Sequence, residues 1–277
     1  MPLPVRVIAC LILSAAGAAH AADGFTFSVP PGPHAVGFKV VQQYDRARSY
    51  KAEIDLATGE PVKGERARPV QTLVWYPAAR GGKPVTYRDY LDTVPSEDEF
   101  TRSPADIQCM TAERIDGNVA GHREALLRDI ARPQLAVRDA RPEGGKFPVV
   151  IYAPSYSSYA IENTDLCELL ASHGYIVLSS PSLGAHTRAM TTDIEGVEAQ
   201  AADISFLIGY AATLPQADAA KVAAVGFSWG GLANVFAAAK DARIKALVSL
   251  DGSIRSFPKL VDGGKEAAPY VTPARVA

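Results

Sequence analysis

The sequence predicts an α/β fold, a mostly parallel sheet with helices on both faces. The first observation is a set of four short apolar runs, residues 147–153, 175–179, 221–225 and 244–250, each of strand length. The second is that helical patterns alternate with them. Residues 164–173 have helical spacing and end at Gly174 as C-cap, residues 194–210 place apolar side chains at 194, 197, 201, 204, 207 and 208, and residues 231–240 are alanine-rich. The third is that these strands carry little polar content, as strands buried on both faces do. Right-handed crossovers between parallel strands put the loops after residues 153, 179, 225 and 250 on one edge of the sheet, where such folds bind ligands.

The chain before residue 147 is less regular. Residues 22–69 are rich in Pro, Gly and charge, punctuated by Val29-Pro-Pro-Gly-Pro33, and residues 37–44 read as an added edge strand. Residues 69–77 form a proline-bounded strand. Residues 81–102 read as a long surface excursion, in which Ser96-Glu-Asp-Glu99 is a solvated acidic turn or the first turn of a short helix. Apolar positions 125, 126, 127 and 130 indicate a helix over 120–130, residues 135–138 a strand, and Arg141-Pro-Glu-Gly-Gly-Lys146 a turn. No internal repeat or low-complexity linker interrupts the second half.

Residues 1–21 read as an export signal: Arg6 is the positive end, residues 7–16 the apolar run, and Ala19-His20-Ala21 a small-x-small cleavage site. The expected location is secreted or periplasmic, and residues 22–277 are read as one α/β domain with an irregular N-terminal region. A net charge of −2 with 21% charged residues points away from nucleic acid and from a polybasic membrane anchor. No segment after the signal resembles a membrane helix. Beyond the signal the cysteines are Cys109 and Cys167, too few and too far apart for a zinc cluster, so no metal and no cofactor are expected. Cys167 falls in an apolar helical pattern that suits packing. Whether the two cysteines pair, and the oligomeric state, are left open.

The chemistry centres on Val222-Ala-Ala-Val-Gly-Phe-Ser-Trp-Gly-Gly231. An apolar strand runs into Gly226-x-Ser228-x-Gly230 and a helix follows at once, the setting of a nucleophile elbow. Gly226, Gly230 and Gly231 stand where a sharp strand-to-helix turn leaves no room for side chains. The alternative for Ser228 is a plain N-cap serine. A phosphate-binding loop lacks its Gly-Lys-Ser/Thr ending, and a dinucleotide fingerprint lacks its glycine triplet. Backbone N–H groups of Trp229 and of Tyr156 or Ser157, with Ser158 as a further option, are the candidate oxyanion donors.

Asp251, directly after residues 244–250, is the candidate acid, placed to orient a histidine; its alternative is a side-chain cap on the following turn. Asp203 lies inside a helical pattern and is expected at the surface. The base has no clear bearer. His34, His122, His173 and His186 all precede Ser228, whereas the order in this class is nucleophile, acid, histidine. His186, after the strand ending near 179, is a candidate pocket residue and the one substitute base with a positional argument.

On these motifs the chain resembles the α/β-hydrolase superfamily, and over residues 147–257 its dienelactone hydrolase and platelet-activating factor acetylhydrolase-like branch. The resemblance rests on Phe147-Pro-Val-Val-Ile-Tyr-Ala-Pro-Ser155, Ala171-Ser-His-Gly-Tyr-Ile-Val-Leu-Ser-Ser-Pro181, Gly226-Phe-Ser-Trp-Gly-Gly231 and Val248-Ser-Leu-Asp-Gly252. It implies Ser228 as nucleophile, Asp251 as acid and a small-molecule carboxylic ester as substrate. It also implies a further strand, a histidine-bearing loop and a final helix after the acid. Residues 257–277, with Gly263-Gly264, Pro269 and Pro273, do not read that way, so an incomplete, C-terminally truncated form of a longer hydrolase is expected, with full activity requiring a missing downstream histidine. A catalytically silent binding protein of the same fold is the alternative.

Overall fold

The computed structural model describes residues 29–55, 58–117 and 123–257. Residues 1–21, which the sequence predicts to be an export signal, His122 and residues 258–277 lie outside the described residues, and the account below concerns the compact unit that begins at Pro31.

The elements in chain order are β1 (Ala35–Ser49), β2 (Ala67–Ala78), β3 (Pro84–Thr86), α1 (Tyr87–Leu91), α2 (Pro104–Gly117), α3 (Arg123–Ile130), β4 (Pro133–Arg138), β5 (Phe147–Ala153), α4 (Thr164–Ser172), β6 (Ile176–Ser179), α5 (Ile194–Ala211), β7 (Ala217–Phe227), α6 (Trp229–Lys240) and β8 (Ile244–Leu250). The strands form one sheet in the order β3-β4-β1-β2-β6-β5-β7-β8. β6, β5, β7 and β8 run parallel, as the alternating pattern predicts, and β1 and β2 form an antiparallel pair joined to β6 through β2.

The core lies on both faces, and the pleat explains how. Along β5, Val149, Ile151 and Ala153 enter one cluster with Trp229, Leu232 and Phe236 of α6, while Val150 and Tyr152 enter the opposite one with Phe38, Trp75 and Tyr90. Cys167 is fully buried in the second cluster; it and the exposed Cys109 are both free thiols.

Three expectations are corrected. Residues 37–44 do not form an edge strand: they belong to the 15-residue β1, which pairs with β2 on one side and β4 on the other. Its half-exposed, charged second half hides this in the sequence. Asp203 is 3% exposed, because Arg68 (1% exposed) reaches it with Nε at 2.7 Å and Nη2 at 2.6 Å, and Arg48 adds a contact at 2.6 Å. Glu97 is 0% exposed, so Ser96-Glu-Asp-Glu99 is not a solvated turn; Ser96 too is buried, its hydroxyl donating to Gln71 Oε1 at 2.8 Å. Helix α2 leaves little trace in the sequence because only Thr111 and Ile115 of its residues are buried.

The topology fixes where a site can be. The chain steps from β5 to β6 on one side, then crosses back over β5 to reach β7 on the other. The C-terminal ends of β5 and β7 therefore flank the switch point, with Ala153 registered against Gly226.

Candidate active site

Strand β7 delivers Ser228 at φ 50°, ψ −115°, directly before α6. A residue with a Cβ is strained there, at a cost on the order of 1–3 kcal/mol, and such strain persists only where the surroundings over-determine it. The surroundings do so. Ser228 N–H donates to Leu250 C=O at 3.0 Å, and Ser228 C=O accepts from Gly231 N–H and Ser253 N–H, both at 3.0 Å. The glycines are sterically required: a Cβ on Gly226 would stand 2.4 Å from Gly230 C, and one on Gly230 would stand 2.0 Å from Ala153 O. On Gly231 a Cβ would meet Ser249 Oγ at 2.4 Å.

The N-cap alternative for Ser228 finds no support in its contacts. Its side chain makes no capping bond; its Oγ lies 3.2 Å from Ser253 Oγ, a neighbour that sequence reasoning did not single out. Only the short turn after Asp251 brings the two hydroxyls together, and sequence spacing carries no signal for it.

Trp229 opens α6, so its N–H has no carbonyl to bond within the helix and points outward at the helix start. Its indole is 1% exposed, edge-on to Tyr156 at 5.6 Å and to Phe257 at 5.1 Å. The loop after β5 holds Ser157 at φ 51°, another left-handed serine. Ser158 N–H is spent on Ser155 C=O at 3.1 Å, which leaves Tyr156 and Ser157 as the loop's candidate donors. The loop is tied from two sides. Glu162 accepts from Ser155 N–H at 3.0 Å and from its hydroxyl, and Met190 accepts from the Tyr156 hydroxyl while its N–H donates to Ser157 Oγ at 2.9 Å.

Asp251 follows β8 at φ 46°, exposed; its side chain has no recorded hydrogen bond among the described residues. Since Phe227 is registered against Leu250, Asp251 and Ser228 emerge side by side. The described histidines are elsewhere. His34 holds Glu143 through Nδ1 at 2.9 Å and packs on Phe147, at the start of β5 and so at the opposite end of the sheet from Ser228. His173 caps α4 ahead of β6. His186 is on the correct edge but points into a cleft of about 350 Å³ lined with Arg48, Arg68 and Glu198, with its Nε2 3.3 Å from Glu195 Oε1. A second cavity of about 310 Å³, lined by Leu91, Val94, Ile115, Ile130, Tyr159 and Ile161 among others, lies against the loop after β5. Among the described residues no cluster of acidic, His or Cys side chains could hold a metal ion, and no helix is long and apolar enough to cross a membrane.

Comparison with known proteins agrees with this architecture. A ferulic acid esterase from Streptomyces cinnamoneus superposes with a TM-score of 0.56 at 19% identity, covering 88% of this chain and 73% of that one, a likeness of fold. A protein of Methylorubrum extorquens named "Putative carboxymethylenebutenolidase" is 26% identical over 163 residues, 54% of this chain and 55% of that protein. The chain thus spans about half the length of that curated relative, a weak relationship to dienelactone-hydrolase-like proteins that singles out no branch. The pattern of the family described as X-Pro dipeptidyl-peptidase (S15 family) matches residues 126–268, more than half of the 277. With the sheet order, the β5–β7 switch point and this match in place, the chain belongs to the X-Pro dipeptidyl-peptidase (S15) family of the α/β-hydrolase superfamily.

Proposed function

We propose that this protein is an exported serine hydrolase that acts on a small or medium carboxylic ester through an acyl-enzyme. The observation that carries the reading is Ser228 in a strained left-handed conformation between β7 and α6, its hydroxyl free of capping. Ser228 Oγ attacks the acyl carbon, the N–H groups of Trp229 and of Tyr156 or Ser157 hold the developing oxyanion, the alcohol leaves, and water releases the acid. Asp251 is the acid of the triad in this reading, and the histidine it orients comes from outside the described residues.

The second reading is a catalytically silent binding protein of the same fold. One observation favours it: the recorded partner of Ser228 Oγ is a hydroxyl, Ser253 Oγ at 3.2 Å, which is no base. A fluorophosphonate probe on the full chain separates the two. Labelling of the wild type that vanishes in Ser228→Ala supports the hydrolase. A folded wild-type sample that takes no label supports the silent form. Hydrolysis of p-nitrophenyl acyl esters measured beside an X-Pro anilide then tells ester from peptide preference.

A further inference from the structure

Glu97 sits at the end of the turn Val94–Ser96, in the excursion between β3 and β4, and is 0% exposed. One oxygen, Oε1, accepts from Ala160 N–H at 2.8 Å; the other, Oε2, lies 3.0 Å from Arg188 Nη1. A buried carboxyl needs partners for its oxygens, and both groups that face this one, the Ala160 N–H in a hydrogen bond and the Arg188 guanidinium at ion-pair distance, belong to loops at the candidate site. Ala160 is in the loop after β5 that carries Tyr156 and Ser157. Arg188 is in the loop after β6, two residues from the Met190 that holds both of them.

The arrangement continues through Tyr159. Arg188 stacks on its ring with Cζ at 4.6 Å, Arg114 of α2 is also stacked on it at 4.3 Å, and Arg114 Nη1 donates to its hydroxyl at 2.6 Å. The Ala160 carbonyl accepts from Ser179 Oγ at 3.0 Å, so the Ala160 peptide is held on both sides. Ser182 N–H donates to Ser158 C=O at 3.0 Å, a further stitch between the two loops. A left-handed serine at 157 would relax unless the loop around it were held.

We propose that Glu97 is the positioning residue of the oxyanion loop: it fastens Ala160 directly and Tyr159 through Arg188, and so keeps the Tyr156 and Ser157 amides aimed at the reacting carbonyl. The inference rests on the ester-hydrolase reading for its catalytic consequence, while the hold on the loop is measurable without it. A carboxyl at the end of a buried turn thus sets a site it never touches.

The test compares wild type with Glu97→Gln, which keeps an acceptor for Ala160 N–H but can carry no charge toward Arg188, and with Glu97→Ala, which removes both contacts. Two readouts are taken on the full chain: hydrogen exchange at the Ser158 and Ala160 amides, and the fluorophosphonate inactivation rate constant separated from the probe's affinity. The expected result is exchange faster by roughly tenfold in Glu97→Ala and by less in Glu97→Gln. Inactivation slows in the same order, roughly tenfold for Glu97→Ala, with probe affinity unchanged, as misaimed oxyanion donors require. Unchanged exchange at both amides in a folded Glu97→Ala protein overturns the proposal, as does unchanged inactivation in that variant when the wild type labels. If wild type takes no label while exchange still responds, the hydrolase reading fails and the loop-holding role stands.

Discussion

Ser228 and Asp251 leave neighbouring parallel strands at the same level: Phe227 is registered against Leu250, and the next residue on each strand turns left-handed, at φ 50° and φ 46°. The Ser228 N–H to Leu250 C=O bond of 3.0 Å locks the two turns together. Among the described non-glycine residues, positive φ occurs at Asp139, Ser157, Ser228 and Asp251, and all but Asp139 are candidate site residues. Backbone strain concentrated in this way is a mark of sites whose geometry is held against local preference.

That strain makes Ser228→Gly and Ser228→Ala diverge. Both remove the hydroxyl and its contact with Ser253, but only glycine relieves a Cβ held at φ 50°, ψ −115°. Relief on the order of 1–3 kcal/mol exceeds the extra chain entropy of glycine, roughly 0.5–1 kcal/mol. Urea unfolding is expected to show Ser228→Gly more stable than Ser228→Ala by about 1 kcal/mol. Equal midpoints would mean that the elbow stores no strain.

Gly230→Ala tests the other half of the elbow. The added methyl would stand 2.0 Å from Ala153 O and 2.7 Å from Pro154 O, both backbone atoms that cannot swing aside. Overpacking of this kind costs about 1–3 kcal/mol or more, and the relief available is to push α6 away from β5. Loss of stability by denaturant titration, together with loss of labelling at Ser228, is expected. A variant within about 0.5 kcal/mol of wild type would contradict the close approach.

The elbow was legible because its constraints are local: glycines at fixed offsets between an apolar strand and a helix state their own geometry. The parallel half of the sheet was legible for a similar reason, since uninterrupted apolar runs such as residues 147–153 leave few alternatives to a buried strand. What escaped depends on partners far away in the chain. Glu97 reads as solvated until Ala160 and Arg188 close over it, and Asp203 reads as a helix surface residue until Arg68, 135 positions earlier, reaches it. β1 escaped because its exposed half carries charge that imitates a loop.

Arg68 and Asp203 make the second brace of the site. Besides its bidentate contact, Arg68 donates to Gly184 C=O at 2.5 Å and Leu183 C=O at 3.1 Å, anchoring the loop that carries Met190. Removing Asp203 leaves the buried Arg68 guanidinium without its counter-charge, at about 3–5 kcal/mol, whereas removing Arg68 leaves Asp203 with Arg48 alone. Arg68→Met and Asp203→Asn are each expected to lower the unfolding midpoint strongly, and the double variant is expected to cost less than the sum of the two. Additive losses in this double-mutant cycle would show that the two side chains are not coupled.

Two buried carboxyls set the pH dependence of folding. Burial pushes Glu97 up to about 8 against the opposing pull of Arg188, and burial also raises Glu168, whose oxygens accept from Tyr90 OH at 2.5 Å and Leu135 N–H at 2.9 Å. Between the ordinary carboxyl value of 4.5 and about 8, folded Glu97 retains a proton that the unfolded chain releases. The folded state then binds more protons, so stability falls as pH rises through that window. Asp203 acts in the opposite sense and lower down. Burial alone would raise it, but Arg68 and Arg48 outweigh burial and hold it below its ordinary 3.8, so its contribution is lost only in stronger acid. The unfolding midpoint is therefore expected to be higher near about pH 5.5 than near about pH 8.5, and Glu97→Gln is expected to flatten the decline. A midpoint that rises across this window, or a Glu97→Gln protein with the slope of wild type, would show that Glu97 carries its charge throughout.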